Sequence, residues 1–240
     1  MLPLALIFDL DDTIVAYDAV VESCWRTVCE RFADRLSPHP AAEVLEAIFQ
    51  QARWYWSDPE RHRKGRLNHV LTRQLIIQLA FRQVGLPEDE ALSKDMALMR
   101  TQLHEELIQP FPGALDTLRQ LHARFPMALI TNGAADVQAR KLDRFDLRPF
   151  FACIMIEGAV GYGKPEPKVF LDTLATLKVS AEDVWMVGDS LTFDIAPAQS
   201  LGMKGIWHDV KRQGLPANAP VYPYALIQSI NDLPALLGSR

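Results

Sequence analysis

The first fourteen residues constrain the fold of this chain more than any other stretch. Residues 4–8 are an unbroken apolar run, and three carboxylates and a threonine follow within residues 9–13. A short apolar run that ends in polar residues is typical of a buried strand in a parallel sheet. Because side chains alternate along a strand, Asp9 and Asp11 are expected on one side, roughly 6–7 Å apart. Their mutual repulsion beside an apolar strand predicts a divalent cation that offsets the charge.

The composition is that of a globular protein with room for one large domain or two modest ones. The 240 residues carry a formal net charge of −5, and no basic stripe suggests a nucleic acid partner. Asp9 ends the apolar N-terminal run too early for a signal or membrane-spanning segment, so we expect no membrane association. The cysteines lack the spacing of a zinc site or a disulfide framework, and we expect reduced thiols in a cytoplasmic protein: Cys24, Cys29 and Cys153.

Residues 16–105 show helical patterns and no strand pattern. Apolar residues recur at helical spacing, and breakers that contain proline or glycine separate the stretches. This block is therefore predicted to be an all-helical domain inserted after the first strand. The predicted helices cover residues 19–36, 41–56, 66–84 and 88–108.

From residue 106 onward, apolar strands alternate with helices, which implies a parallel, doubly wound sheet. Residues 1–15 and 106–240 are therefore predicted to form a Rossmann-like α/β core. Ligands bind such sheets outside the carboxyl ends of the strands, and candidate functional residues follow several of these ends. The strands after the first are predicted at residues 127–130, 150–156, 184–187, 205–207 and 225–227.

Four short motifs occur at these positions, in a fixed order. Asp9-Leu10-Asp11-Asp12-Thr13 follows the first strand, Thr131 ends the second, Lys164-Pro165 follows a Gly-rich loop, and Gly188-Asp189 precedes Asp194. In this order they resemble the four motifs of the haloacid dehalogenase (HAD) superfamily, over residues 1–15 and 106–210. The helical block is similar to the C1 cap of phosphatase-type members of subfamily IA.

The resemblance implies a phosphoric monoester hydrolase that acts on a small phosphorylated substrate. Asp9 would attack phosphorus and form an aspartyl-phosphate. Asp11 would protonate the leaving oxygen and then act as the base for the attacking water. Lys164 would neutralise charge on the transferring group. The Thr131 hydroxyl and the backbone N–H of Asn132 would bind phosphoryl oxygens.

Mg²⁺ is the implied cofactor, because it prefers oxygen ligands. Asp9, the backbone carbonyl of Asp11 and Asp189 would bind it, with water and a phosphate oxygen. Asp194 would orient the motif lysine or a metal-bound water. Thr13 would support the loop without touching the substrate.

The helical cap is expected to determine the choice of substrate. The basic cluster at residues 61–66 could meet an anionic substrate tail, although an exposed charged turn is the simpler interpretation. The Trp-Tyr-Trp run at residues 54–56 could line a pocket or pack the interior of the cap.

Three other activities use similar residues. A 2-haloacid dehalogenase needs no metal and lacks the second aspartate, whereas Asp11 is present here. A β-phosphoglucomutase-type phosphomutase tends to carry glycine where this chain has Asp12. A phospho-acceptor receiver module keeps its acidic pair apart from the phosphorylated aspartate and needs no helical cap. The sequence therefore favours a phosphatase for a nucleotide, a sugar phosphate or a phosphoglycolate-like metabolite, acting as a monomer or homodimer.

Overall fold

The computed structural model describes residues 2–238, which divide into two compact units. One unit comprises the residues up to Ala16 and from Gln109 onward, and the other comprises Tyr17–Ile108. Within residues 2–238, no helix is both long and apolar enough to cross a membrane.

The unit formed by Tyr17–Ile108 is helical. Its helices are α1 (Val21–Arg31), α2 (Ala41–Ser57), α3 (Pro59–Gly65), α4 (His69–Val84) and α5 (Glu90–Leu107). The four longer helices pack around one apolar core, to which each contributes at least one fully buried side chain. Examples are Val28, Ile48, Ile77 and Met96.

Helix α3 is absent from the sequence-based prediction, in which Ser57-Asp58-Pro59 only ends a helix. In the structure these residues also begin a new helix. The Asp58 side chain accepts a hydrogen bond from the Arg61 backbone N–H at 2.8 Å, and Pro59 occupies the first turn. Both features favour a helix N-terminus, because the cap satisfies a free N–H and proline has none to satisfy.

The other unit is built on a six-stranded parallel sheet. The strands are β1 (Ala5–Phe8), β2 (Met127–Thr131), β3 (Cys153–Ile156), β4 (Val184–Gly188), β5 (Lys204–His208) and β6 (Ala225–Ile227). They lie in the order β3-β2-β1-β4-β5-β6, and every neighbouring pair is parallel. The predicted doubly wound α/β sheet is confirmed.

Among the described residues of this unit, five α-helices lie between the strands, and one more follows the last strand. They are α6 (Ala114–His122), α7 (Ala135–Arg144), α8 (Glu157–Val160), α9 (Pro167–Leu177), α10 (Ala196–Ser200) and α11 (Leu233–Leu236). Every residue of β1, β2 and β4 is buried. Alternate residues such as Ala5 and Ile7 pack in one apolar cluster with Val169 and Phe170 of α9. The continuous apolar runs that predicted these strands therefore reflect burial of both sheet faces.

The chain leaves and re-enters this unit at one place. The Ala16 backbone N–H donates to the Gln109 carbonyl at 2.9 Å, and Phe111 N–H donates to the Ile14 carbonyl at 2.9 Å. Val15 and Pro110 form an antiparallel bridge between these two bonds. The segments on either side of the insertion are thus tied to each other directly.

Candidate active site

The candidate site lies at the carboxyl ends of three neighbouring strands. β1 pairs with β2 on one side and with β4 on the other. Asp9 directly follows β1, Thr131 ends β2, and Asp189 directly follows β4. Parallel strands present their carboxyl ends at the same edge of a sheet, so these side chains from distant parts of the chain come together.

Lys164 connects two of the aspartates. Its Nζ lies 2.5 Å from Asp9 Oδ1 and 2.6 Å from Asp194 Oδ1, and all three residues are buried. The second oxygen of Asp194 accepts the Ser190 backbone N–H at 2.9 Å. Asp194 therefore holds the ammonium group of Lys164, which is one of the positions that the sequence analysis expected for it.

Three carboxylates crowd around this lysine. One oxygen from each of Asp9, Asp189 and Asp194 lies within 4.8 Å of the others. Burial raises the pKa of Asp9 to about 7, and the neighbouring carboxylates add to the shift although Lys164 opposes it. Burial also raises the pKa of Asp189 well above its usual range, with further contributions from Asp194 and Asp9. Such a set of clustered carboxylate oxygens fits a hard divalent cation, which would favour their charged forms.

The Asp11 side chain has other partners. Lys141 Nζ lies 2.7 Å from both carboxylate oxygens, and Gln138 Nε2 donates to Oδ2 at 3.0 Å. Both partners are buried on α7. The acidic cluster of Asp9, Asp189 and Asp194 does not include this side chain. Metal binding by Asp11 was predicted through its backbone carbonyl, and it stays a prediction.

Sequence reasoning missed Lys141 and Gln138. Their spacing of three residues places them on one face of the helix that follows β2, and this was the available signal. Gln138 Nε2 also lies 2.5 Å from Thr131 Oγ1 and 2.9 Å from the carbonyl oxygen of Asn132. This amide therefore links the hydroxyl predicted to bind phosphate to the aspartate predicted to carry the proton.

The Asn132 side chain holds the backbone of Lys164. Its Nδ2 donates to the Lys164 carbonyl at 2.7 Å, and its Oδ1 accepts the Lys164 N–H at 2.8 Å. The sequence predicted that the backbone N–H of Asn132 contacts the substrate, and this stays a prediction. The paired bonds instead give the side chain a positioning role, which the sequence did not reveal.

Two glycines permit these close approaches. A Cβ at Gly163 would lie 2.5 Å from Asn132 Oδ1, and a Cβ at Gly188 would collide with the Asp194 carboxylate. Glu157 is buried beside the first of them and accepts the Gly133 N–H at 3.0 Å. The glycines before the motif lysine and before Asp189 are therefore needed for space at this site.

The turn after β1 has its own supports. Asp12 adopts a left-handed conformation with φ 56°, and its carbonyl oxygen accepts a hydrogen bond from His208 Nδ1 at 3.1 Å. Burial lowers the pKa of His208, which favours the neutral ring. Thr13 is buried, and its hydroxyl has no hydrogen-bond partner among residues 2–238. Support of the loop by Thr13 stays a prediction, whereas His208, which sequence reasoning missed, contacts the loop backbone at Asp12.

The basic cluster in the helical unit is only partly exposed. Residues 63 and 64 are exposed, whereas Arg66 is buried with Nη1 3.2 Å from His62 Nδ1. The Arg61 guanidinium lies 4.0 Å above the Trp54 ring and donates to carbonyl oxygens at the end of α2. The simple interpretation of a solvated turn is therefore wrong for Arg66 and incomplete for Arg61.

A family model described as haloacid dehalogenase-like hydrolase matches residues 4–202. The phosphoserine phosphatase of Thermus thermophilus is 27% identical over 235 residues, which cover 85% of this chain and 88% of that protein. The glyceraldehyde 3-phosphate phosphatase of Methanopyrus kandleri is 27% identical over 205 residues, which cover 83% of this chain and 81% of that protein. The structure of the HAD-hydrolase YfnB from Bacillus subtilis, bound to magnesium, aligns with a TM-score of 0.77 at 24% identity. The alignment covers 99% of this chain and 100% of that structure.

Proposed function

The chain belongs to the haloacid dehalogenase-like hydrolases, and from that premise we propose that it is a Mg²⁺-dependent phosphatase acting on a small phosphorylated metabolite. The family and the phosphatase activities named for its relatives support a phosphoric monoester hydrolase. The observation that carries the proposal is the position of Asp9. It is a buried carboxylate at the end of β1 with the Lys164 ammonium 2.5 Å away.

The chain's own groups divide the reaction between them. Asp9 attacks phosphorus, and the P–O bond to the leaving alcohol breaks as the aspartyl-phosphate forms. Asp11 gives its proton to the leaving oxygen and later takes one from the water that hydrolyses the aspartyl-phosphate. Lys164 offsets the repulsion between Asp9 and the incoming phosphate. The Thr131 hydroxyl and the Asn132 backbone would hold phosphoryl oxygens during both steps.

Asp9 and Asp189 would hold Mg²⁺, together with the backbone carbonyl of Asp11. Asp194 lies in the same acidic cluster but is engaged with Lys164 and with the Ser190 backbone. The bound ion would neutralise charge on the phosphoryl oxygens and orient them for attack. The helical unit, residues 17–108, is proposed to determine the choice of substrate.

Removing the metal should abolish turnover. We expect wild-type protein with EDTA to lose nearly all activity towards p-nitrophenyl phosphate and to recover it with excess Mg²⁺. Without the dication, no metal charge offsets the repulsion between the clustered carboxylates and the phosphate. The measurement is the initial rate over a panel of nucleotides, sugar phosphates, phosphoserine, glyceraldehyde 3-phosphate and phosphoglycolate. Full activity in EDTA would contradict the metal dependence.

Turnover of 2-haloacids alone would favour a dehalogenase, and transfer of phosphate between sugar hydroxyls would favour a phosphomutase.

Replacing Lys141 should impair the reaction through Asp11. We expect Lys141→Met to lower kcat by about 10–100-fold, because the Asp11 carboxylate loses the ammonium that contacts both of its oxygens. Arg140→Met is the matched control, since Arg140 lies on the same helix in an exposed ion pair with Asp136. Steady-state kinetics check both variants. Equal kcat values for the two would argue against a role for Lys141 in positioning Asp11.

A further inference from the structure

Two arginines of the helical unit are buried in the structure. Arg73 on α4 is 7% exposed and Arg100 on α5 is 2% exposed. Arg73 donates to two hydroxyl groups, Thr101 Oγ1 at 2.6 Å and the Tyr17 phenol at 3.3 Å. For Arg100, Nε and Nη1 are buried and have no hydrogen-bond partner among residues 2–238. A buried guanidinium with unused donors is costly, because it has lost water and gained no acceptor.

The two cations also act on each other. Burial lowers the pKa of Arg100 to about 10, and the charge of Arg73 adds to the effect. Tyr17, Cys24 and the carboxylate of Asp18 oppose this lowering, in decreasing order. Arg100 still remains charged at neutral pH, so two like charges are buried near each other, and two donors of Arg100 have no acceptor among residues 2–238. An anion is the species that would remove both costs, repulsion and unused donors, at once.

The surroundings hold these groups in fixed orientations. The Arg100 guanidinium carbon lies 5.7 Å from the centre of the Trp25 ring. One turn further along α5, the His104 ring lies 4.2 Å from the Tyr17 ring, and its Nε2 lies 3.0 Å from the Tyr17 carbonyl oxygen. Tyr17 thus connects α5 to Arg73, which its phenol oxygen contacts. Aromatic rings and hydroxyl groups orient the planar guanidinium group but are neutral, so they do not balance its positive charge.

We propose that Arg73 and Arg100 of the helical unit form a binding site for a small oxyanion, a carboxylate or a phosphoryl group. Arginine suits this ligand because its planar fork of N–H donors matches two oxygens of such a group. The phenol of Tyr17 lies beside Arg73 and can add a hydroxyl contact. The site uses residues of 17–108 alone; binding of a free ion there is independent of the proposed phosphatase activity, whereas binding of a substrate group rests on that activity. The oxyanion is either a free ion or an anionic group carried by the substrate.

Anion-dependent stability tests the site directly. Thermal unfolding is followed with increasing sodium succinate or sodium phosphate, at constant ionic strength set with NaCl and with EDTA present. We expect a saturable rise in the Tm of the wild type, roughly 5–10 °C at 100 times the dissociation constant. Arg100→Met should abolish this rise and be no less stable than the wild type without the anion, because it removes an unbalanced buried charge. Arg31→Met, at an exposed arginine on α1, is the matched control and should keep the rise.

A second set of variants covers the case in which Arg100→Met does not fold. Arg100→Lys and Arg73→Lys keep the charge and remove the planar fork, so each should weaken anion binding by about tenfold or more. Equal anion responses in the wild type and all folded Arg73 and Arg100 variants would overturn the site. So would the absence of any saturable response in the wild type together with unchanged kinetics in these variants.

Kinetics distinguish the two sources of the anion. O-phosphoserine and O-phosphoethanolamine form a matched pair of phosphoesters that differ by one carboxylate. If the substrate supplies the oxyanion, Arg100→Met should raise KM about tenfold or more for phosphoserine and leave KM for phosphoethanolamine unchanged. If a free ion binds, the variant should lose only the anion-dependent rise in Tm. An anion response that persists in an inactive protein would separate this site from any failure of the phosphatase proposal.

Discussion

Asp9→Asn will fold normally and lose phosphatase activity by about 10⁴-fold or more. The carboxylate is the only group of Asp9 that can bond to phosphorus, and asparagine keeps its shape while removing its nucleophilic oxygen. Lys164 retains Asp194 as a buried partner at 2.6 Å, so its charge stays balanced in the variant. The substitution also removes a carboxylate whose pKa is raised by burial and by the neighbouring carboxylates, so no large loss of stability is expected.

Three measurements together check this result. Initial rates on p-nitrophenyl phosphate give the loss of activity, and urea unfolding shows that the variant is folded. Mass spectrometry of rapidly quenched wild-type protein should detect phosphate on Asp9 during turnover and none in the variant. Asp116→Asn, at an exposed aspartate on α6 that pairs with Arg119, is the control and should retain full activity. Activity of Asp9→Asn within tenfold of the wild type would exclude Asp9 as the nucleophile.

Lys164→Met will both inactivate and destabilise the protein. The substitution leaves the carboxylates of Asp9 and Asp194 buried without the ammonium that contacts each of them. Breaking a buried ion pair by removing one partner costs about 3–5 kcal/mol. We therefore expect the free energy of unfolding, measured in urea with EDTA, to fall by about this amount. Mg²⁺ should restore part of the stability, because a cation then balances the same carboxylates.

Lys168→Met is the matched control for this variant. Lys168 lies near the start of α9 and makes an exposed ion pair with Asp172. Its loss should change neither activity nor stability noticeably, since water screens such pairs. If Lys164→Met unfolded at the same urea concentration as the wild type, the buried triad of Asp9, Lys164 and Asp194 would not contribute to stability as the structure indicates.

The positions that sequence predicted best were those governed by strand ends. Asp9, Thr131 and Asp189 each follow an apolar run, and parallel strands must bring their carboxyl ends to one edge. This rule needs only the order of strands and helices, which the alternation of apolar and polar residues already contains. For Asp194 the sequence predicted a contact with Lys164 or with a metal-bound water, and the structure shows the contact with Lys164 at 2.6 Å.

Contacts that depend on the rotation of a helix could not be predicted in the same way. Lys141 reaches Asp11 only because α7 turns one particular face towards the segment that follows β1. A helical pattern predicts which residues share a face, but it does not predict which part of the protein that face contacts. The two bonds of Asn132 to Lys164 likewise depend on how the intervening loop folds back. Arg73 and Arg100 are buried, although polarity alone would assign both to the surface.

The antiparallel bridge between Val15 and Pro110 has a consequence for how such a protein can diversify. Because the two ends of the insertion are hydrogen-bonded to each other, the gap that any inserted segment must close is short and independent of its length. Residues 17–108 can therefore be lengthened, shortened or exchanged without pulling on β1 or shifting Asp9. The helices of residues 17–108 can therefore change in sequence and length while Asp9 keeps its position at the end of β1.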